Sequence, residues 1–121
     1  MDIYKKFNIE AAHYLPEVPQ DHKCRRLHGH SFVVEIHVSG QIGWGTGWVM
    51  DYADIKSAFD PLCRQLDHHY LNEIEGLSNP TSENMAIWIW ERLQPKLPEL
   101  SRIVIHETCT SGCVYTGCNP Y

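Results

Sequence analysis

The chain has 121 residues, enough for one domain over 1–121 with its own core. A formal net charge of −5 excludes a general nucleic-acid binder, and the longest apolar run, Met85 to Trp90, is too short to cross a bilayer. Five cysteines, with no apolar leader after Met1, fit a reducing cytoplasmic compartment, and eight histidines invite a search for metal ligands.

Residues 3–13 read as a strand in which Phe7, Ile9, Ala11 and His13 share one parity. Residues 14–26, with Pro16 and Pro19, form a loop that carries Lys23, Arg25 and Arg26, the densest cationic cluster. Residues 28–39 are a second strand, with His28, His30, Phe32, Val34, Ile36 and Val38 on one face. Glycines at 43, 45 and 47 mark a turn, and Trp48-Val49-Met50 is expected as a short strand. Asp51 is a helix N-cap, followed by Ile55, Phe59, Leu62 and Leu66 at helical spacing. Pro61 within that stripe predicts a kink or two shorter helices. Thr81 or Ser82 caps a further helix with Met85, Ile89, Leu93 and Leu97 on its apolar side, ending near Pro95 and Pro98. Residues 101–108 are a strand on which Ile103, Ile105 and Glu107 share a face, and a last short strand is expected around 114–116. The order of strands, helices, then strand gives an α+β class with an antiparallel sheet.

If the first two strands pair antiparallel, their buried faces coincide, and His13, His28 and His30 meet near the loop end. A β-bulge in either strand would undo this. Three imidazoles with no clear fourth ligand suit a catalytic zinc with an open position, although copper, iron or nickel accept the same donors. Cys24, between Lys23 and Arg25, is either a fourth ligand or a reactive thiol, since cationic neighbours favour the thiolate. Asp67 and His68 adjoin a helix end, where a turn allows the carboxylate to orient the ring. Glu107, in phase with two isoleucines, needs a partner. It could pair with Arg102, or accept two parallel N–H bonds from the 2-amino-4-oxo edge of a pterin or guanine. Cys109, Cys113 and Cys118 match no trusted zinc spacing and read as buried or surface thiols.

Phe-Asn-Ile-Glu-Ala-Ala-His at 7–13, Cys-x-x-x-His-Gly-His at 24–30 and Gly-Trp-Val-Met-Asp-Tyr at 47–52 occur in this order. They are followed by Leu-Asp-His-His-Tyr-Leu-Asn at 66–72, Asn-Pro-Thr-Ser-Glu-Asn at 79–84 and Glu-Thr at 107–108. With these motifs the chain resembles the 6-pyruvoyltetrahydropterin synthase family over essentially its whole length. The short spacing from Cys24 to His28 is more similar to the family's bacterial carboxytetrahydropterin branch, which serves queuosine biosynthesis. The resemblance implies His13, His28 and His30 as ligands of one zinc per subunit, Cys24 as catalytic thiol, and Asp67 with His68 as proton relay. It implies Glu107 as pterin anchor, with Thr81, Ser82 and Glu83 at the pterin pocket. Lys23, Arg25 and Arg26 are candidates for the triphosphate. The implied fold is the tunnelling fold, an antiparallel four-stranded sheet with two helices on one face. Its sheets join into a barrel across subunits, commonly two stacked trimers with active sites between subunits. The implied reaction converts 7,8-dihydroneopterin triphosphate to 6-carboxy-5,6,7,8-tetrahydropterin, acetaldehyde and triphosphate. A pyruvoyl product from the same substrate, cleavage toward folate, and a non-catalytic zinc- or pterin-binding module are the competing readings. Intact Cys24 counts against the folate route, whose enzymes usually carry Glu there.

Overall fold

The computed structural model describes residues 1–108 and 110–121, so Cys109 lies outside the described residues. Four antiparallel strands form one sheet in chain order: β1 (Asp2–His13), β2 (His28–Ser39), β3 (Leu100–Glu107) and β4 (Ser111–Tyr115). Two helices, α1 (Tyr52–Leu66) and α2 (Ser82–Leu93), pack on the sheet, α1 against β1 and α2 against β3 and β4.

Strand alternation makes the core. Ile9 and Ala11 of β1, Phe32, Val34, Ile36 and Val38 of β2, and Ile103 and Ile105 of β3 are all buried. The helices cover them with Ile55, Phe59, Leu62 and Leu66 of α1 and Met85, Ala86, Ile89 and Leu93 of α2. Each of these Val, Leu, Ile, Phe and Met side chains contributes about 1.5–3 kcal/mol on burial. Phe7 and Phe59 tie β1 to α1 with ring centroids 4.7 Å apart. The β1–β2 register runs unbroken from Asp2 opposite Ser39 to His13 opposite His28. A register shift does occur, between His37 and Val38 in the pairing with β3, at the opposite end of β2 from His28 and His30. The parity argument is therefore undisturbed where it matters.

Some local expectations change. Trp48–Met50 forms no strand. Gly43 N–H instead donates to the Trp48 carbonyl and Gly47 N–H to the Gly43 carbonyl, closing the segment on itself. Trp44 and Trp48 stay exposed there. Helix α1 runs through Pro61 as one element rather than two. Both Pro61 and Ser57, whose carbonyl lacks an N–H from the proline, lie on the exposed side where water serves as donor. Helix α2 ends at Leu93, and Leu97 is buried from the turns that follow. The last strand begins earlier than expected, at Ser111.

Capping settles how the helices enter the site. Asp51 caps α1 through the Ala53 N–H. Thr81, not Ser82, caps α2, accepting from the Asn84 N–H at 3.1 Å. That leaves the Ser82 hydroxyl free for Glu107.

Candidate metal centre and active site

His13 ends β1, His28 begins β2, and His30 follows on the same face, so the sheet itself delivers three rings to one point. One ligand atom from each lies within 4.8 Å of the other two. The rings meet edge to face, with centroids 4.6 Å apart for His13–His28, 5.0 Å for His13–His30 and 4.6 Å for His28–His30.

Each Nδ1 has a partner. His13 Nδ1 meets the Pro80 carbonyl at 2.8 Å, His28 Nδ1 the Arg26 carbonyl at 2.7 Å, and His30 Nδ1 the Thr108 hydroxyl at 2.8 Å. A carbonyl only accepts, so Nδ1 carries the proton in His13 and His28, leaving Nε2 with its lone pair. All three Nε2 atoms are buried without a hydrogen-bond partner. Three orphaned ring nitrogens converging on one point, each oriented from its far side, are the donor set that a metal ion completes. Burial lowers the pKa of His13, reinforced by His28 and His30 against the Pro80 carbonyl. Burial also lowers that of His30, against the pull of Glu107. Both shifts favour the neutral imidazole that ligates.

Glu107 stands beside this centre. Its Oε1 is 3.1 Å from His30 Nε2, but that contact lacks hydrogen-bond geometry and leaves the nitrogen unsatisfied. Its Oε2 accepts from the Ser82 hydroxyl at 2.5 Å. The Arg102 pairing considered from the sequence is not formed; Ser82 at the start of α2 holds the carboxylate instead. The turn into α2 thus grips two site residues, His13 through the Pro80 carbonyl and Glu107 through Ser82.

Cys24 lies in a short 3-10 turn, Lys23–Arg25, where its N–H donates to His22 Nδ1. Its carbonyl accepts from the Leu15 N–H, which folds the loop back over the strand ends. The thiol is not among the clustered ligand atoms. It lines a pocket of about 260 Å³ together with Lys23, His28 and His30. Arg25 is committed to the Val18 carbonyl at 3.0 Å, and Arg26 is exposed.

Asp67 and His68 lie at the open edge of β1. Asp67 Oδ1 accepts from the Glu10 N–H at 2.9 Å, and the His68 N–H donates to the Glu10 carbonyl at 2.6 Å. His68 adopts a left-handed backbone, φ 59°, which brings its Nδ1 to 3.0 Å from Asp67 Oδ2. The Glu10 N–H, aided by His68, holds the Asp67 carboxyl below the usual carboxylate range. The His68 side chain is 78% exposed. It borders a different pocket, of about 520 Å³, shared with Glu10, Ser31 and His30. Within one chain, Cys24 and His68 do not share a pocket. Glu83 lines yet another, with Ala86, Cys113 and Tyr115. Cys113 is half-buried, and burial pushes its thiol up to about 11, while Cys118 is exposed.

Sequence reading missed the three Nδ1 anchors and the Ser82–Glu107 bond. Two of the anchors are main-chain carbonyls, which leave no trace in residue type. Thr108 left one, as a hydroxyl directly after Glu107.

The profile of the family described as 6-pyruvoyl tetrahydropterin synthase matches residues 2–118. A 6-carboxy-5,6,7,8-tetrahydropterin synthase from Synechocystis is 46% identical, over 93% of this chain and 91% of its own length. A dihydroneopterin monophosphate aldolase from Pyrococcus furiosus is 37% identical, over 87% of this chain and 88% of its own. The fold superposes on the 6-pyruvoyl tetrahydropterin synthase of Caenorhabditis elegans with a TM-score of 0.89 at 25% identity, covering 98% of this chain and 96% of that one.

Proposed function

The chain belongs to the 6-pyruvoyl tetrahydropterin synthase family and has its tunnelling fold. We propose that it is a zinc-dependent 6-carboxytetrahydropterin synthase, a lyase converting 7,8-dihydroneopterin triphosphate to 6-carboxy-5,6,7,8-tetrahydropterin, acetaldehyde and triphosphate. Its product would enter queuosine biosynthesis. The observation that carries this is the trio of unpartnered Nε2 atoms beside the Cys24 pocket, in a chain 46% identical to a named synthase of that activity.

His13, His28 and His30 hold the ion, and zinc, when bound, supplies a Lewis acid for the substrate's side-chain hydroxyls. Glu107 accepts two N–H bonds from the 2-amino-4-oxo edge of the pterin, its carboxylate steadied by Ser82. Thr81 shapes that end of the pocket as the cap of α2. Glu83, in the same turn of α2, borders the pocket lined by Cys113 and Tyr115. Cys24, as thiolate, removes a proton from the substrate side chain. His68 exchanges a second proton at Nε2, its Nδ1 being held by Asp67. Lys23 lines the pocket and meets the triphosphate first, with Arg25 and Arg26 on the rim.

Cys24 and His68 border separate pockets of one chain, and His68 is largely exposed. A second copy that lays its Asp67–His68 edge against the Cys24 pocket completes the relay. β1 and β4 are the edge strands of the sheet, and although the 67–70 segment occupies the β1 edge at Glu10 and Ala12, β4 and the earlier part of β1 carry no further strand, which favours closure into a ring and a barrel. A homohexamer of two stacked trimers with sites between subunits is the assembly we infer. A cytoplasmic setting preserves the free thiols Cys24, Cys63, Cys113 and Cys118.

Mass analysis of the products from zinc-loaded protein tests the reading. Acetaldehyde with a carboxylated tetrahydropterin is expected. A pyruvoyl product would move the chain to the sister activity, and pterin binding without turnover would make it a binding module.

A further inference from the structure

One anchor of the triad differs in kind from the other two. His13 and His28 are oriented by main-chain carbonyls, an acceptor that any residue at Pro80 or Arg26 would offer. His30 is oriented by a side chain, the Thr108 hydroxyl, at 2.8 Å. Thr108 also stands in a left-handed backbone, φ 56°, which β-branched residues rarely adopt. It opens the turn between β3 and β4, after the pairing of Glu107 with Ser111. A turn alone would be better served at that φ by Gly or Asn.

Regular alternation would send the side chain after Glu107 to the opposite face of the sheet. The left-handed turn instead keeps the Thr108 hydroxyl on His30. Consecutive residues thereby meet one ring from both sides, Thr108 at Nδ1 and Glu107 near Nε2.

We propose that Thr108 is a positioning residue for the metal ion. Its Oγ1 accepts the Nδ1 proton of His30, sets the tautomer and rotation of that ring, and so keeps the Nε2 lone pair on the common centre. This rests on the metal reading of the triad given above.

Zinc affinity, measured by chelator competition on metal-stripped protein, is compared for the native chain, Thr108→Val, Thr108→Gly and Thr108→Ser. Melting of each in chelator reports the fold independently. Val keeps the β-branch and removes only the hydroxyl; Gly removes the hydroxyl and relieves the backbone. Affinity is expected to fall about 10–100-fold in both, and to return to within about threefold of native in Thr108→Ser. Thr108→Gly is expected to melt no lower than the native chain, so that metal affinity and fold stability part company. Native affinity in Thr108→Gly or Thr108→Val, or a Ser variant as weak as Val, would overturn the role of Thr108 while leaving the triad intact. A native chain that takes up no zinc would overturn the metal reading itself, and this proposal with it.

Discussion

The loop end of the sheet and the open edge of β1 are built on opposite principles. At the loop end, three histidines are fixed by strand register and held from behind, and their free nitrogens are buried. At the edge, Asp67 and His68 hang on main-chain bonds to Glu10, and the imidazole reaches into solvent. The first region is complete within one chain. The second turns an imidazole held by Asp67 outward, 78% exposed, over a pocket lined by Glu10 and Ser31. Rigid placement suits a metal site, which tolerates little error in donor geometry, whereas a proton relay can be assembled by docking two finished surfaces.

The contrast breaks most severely at the triad. His13→Ala removes a proposed ligand that is 1% exposed, and zinc uptake is expected to fall by more than the roughly 100-fold cost of an outer-shell change. Metal content after dialysis measures it, and native stoichiometry would show that the ring is only a core residue. Cys24→Ala should lower turnover by about 10²–10⁴-fold while leaving zinc content unchanged, because the thiol lies beside the ligand cluster rather than in it. Loss of zinc in that variant would make Cys24 a fourth ligand.

A smaller effect concerns pH. Burial holds His13 and His30 below the ordinary imidazole range, so in metal-free protein the folded state binds their protons later than the unfolded chain does. Their unfolded counterparts take up protons near pH ~6.5, so stability is lost as pH falls through that value toward the lower folded pKa. Urea midpoints in chelator from pH 8 to 5 should decline, and His13→Ala should flatten the decline. A midpoint that rises on acidification would contradict the sign.

Side-chain period carried the sequence reading a long way. The alternation of Ile9, Ala11 and His13 against His28, His30 and Phe32 was enough to bring three rings together, because the β1–β2 pairing contains no bulge. Glu107 stood out as a carboxylate among isoleucines, and the same alternation carries it to the histidine end of the sheet, 3.1 Å from His30. Where period was silent, legibility stopped. The Pro80 and Arg26 carbonyls are invisible to residue type, and the left-handed backbones of His68 and Thr108 direct side chains in ways alternation does not anticipate. Trp48–Met50 looked like a strand by composition, but its segment closes on itself, with the Gly43 N–H bonded to the Trp48 carbonyl and the Gly47 N–H to the Gly43 carbonyl. Pro61 was judged as a helix breaker without knowing that its face is wet.

The proposed division, a metal pocket within one chain and a relay lent by its neighbour, is tested most directly by mixing subunits. Cys24→Ala and His68→Ala proteins, each inactive and each retaining zinc, are unfolded together in equal amounts and refolded. If a site draws Cys24 from one chain and His68 from its neighbour, random assembly restores about a quarter of native activity per site. A mixture as inactive as its parents would contradict the account, placing both groups in the same chain.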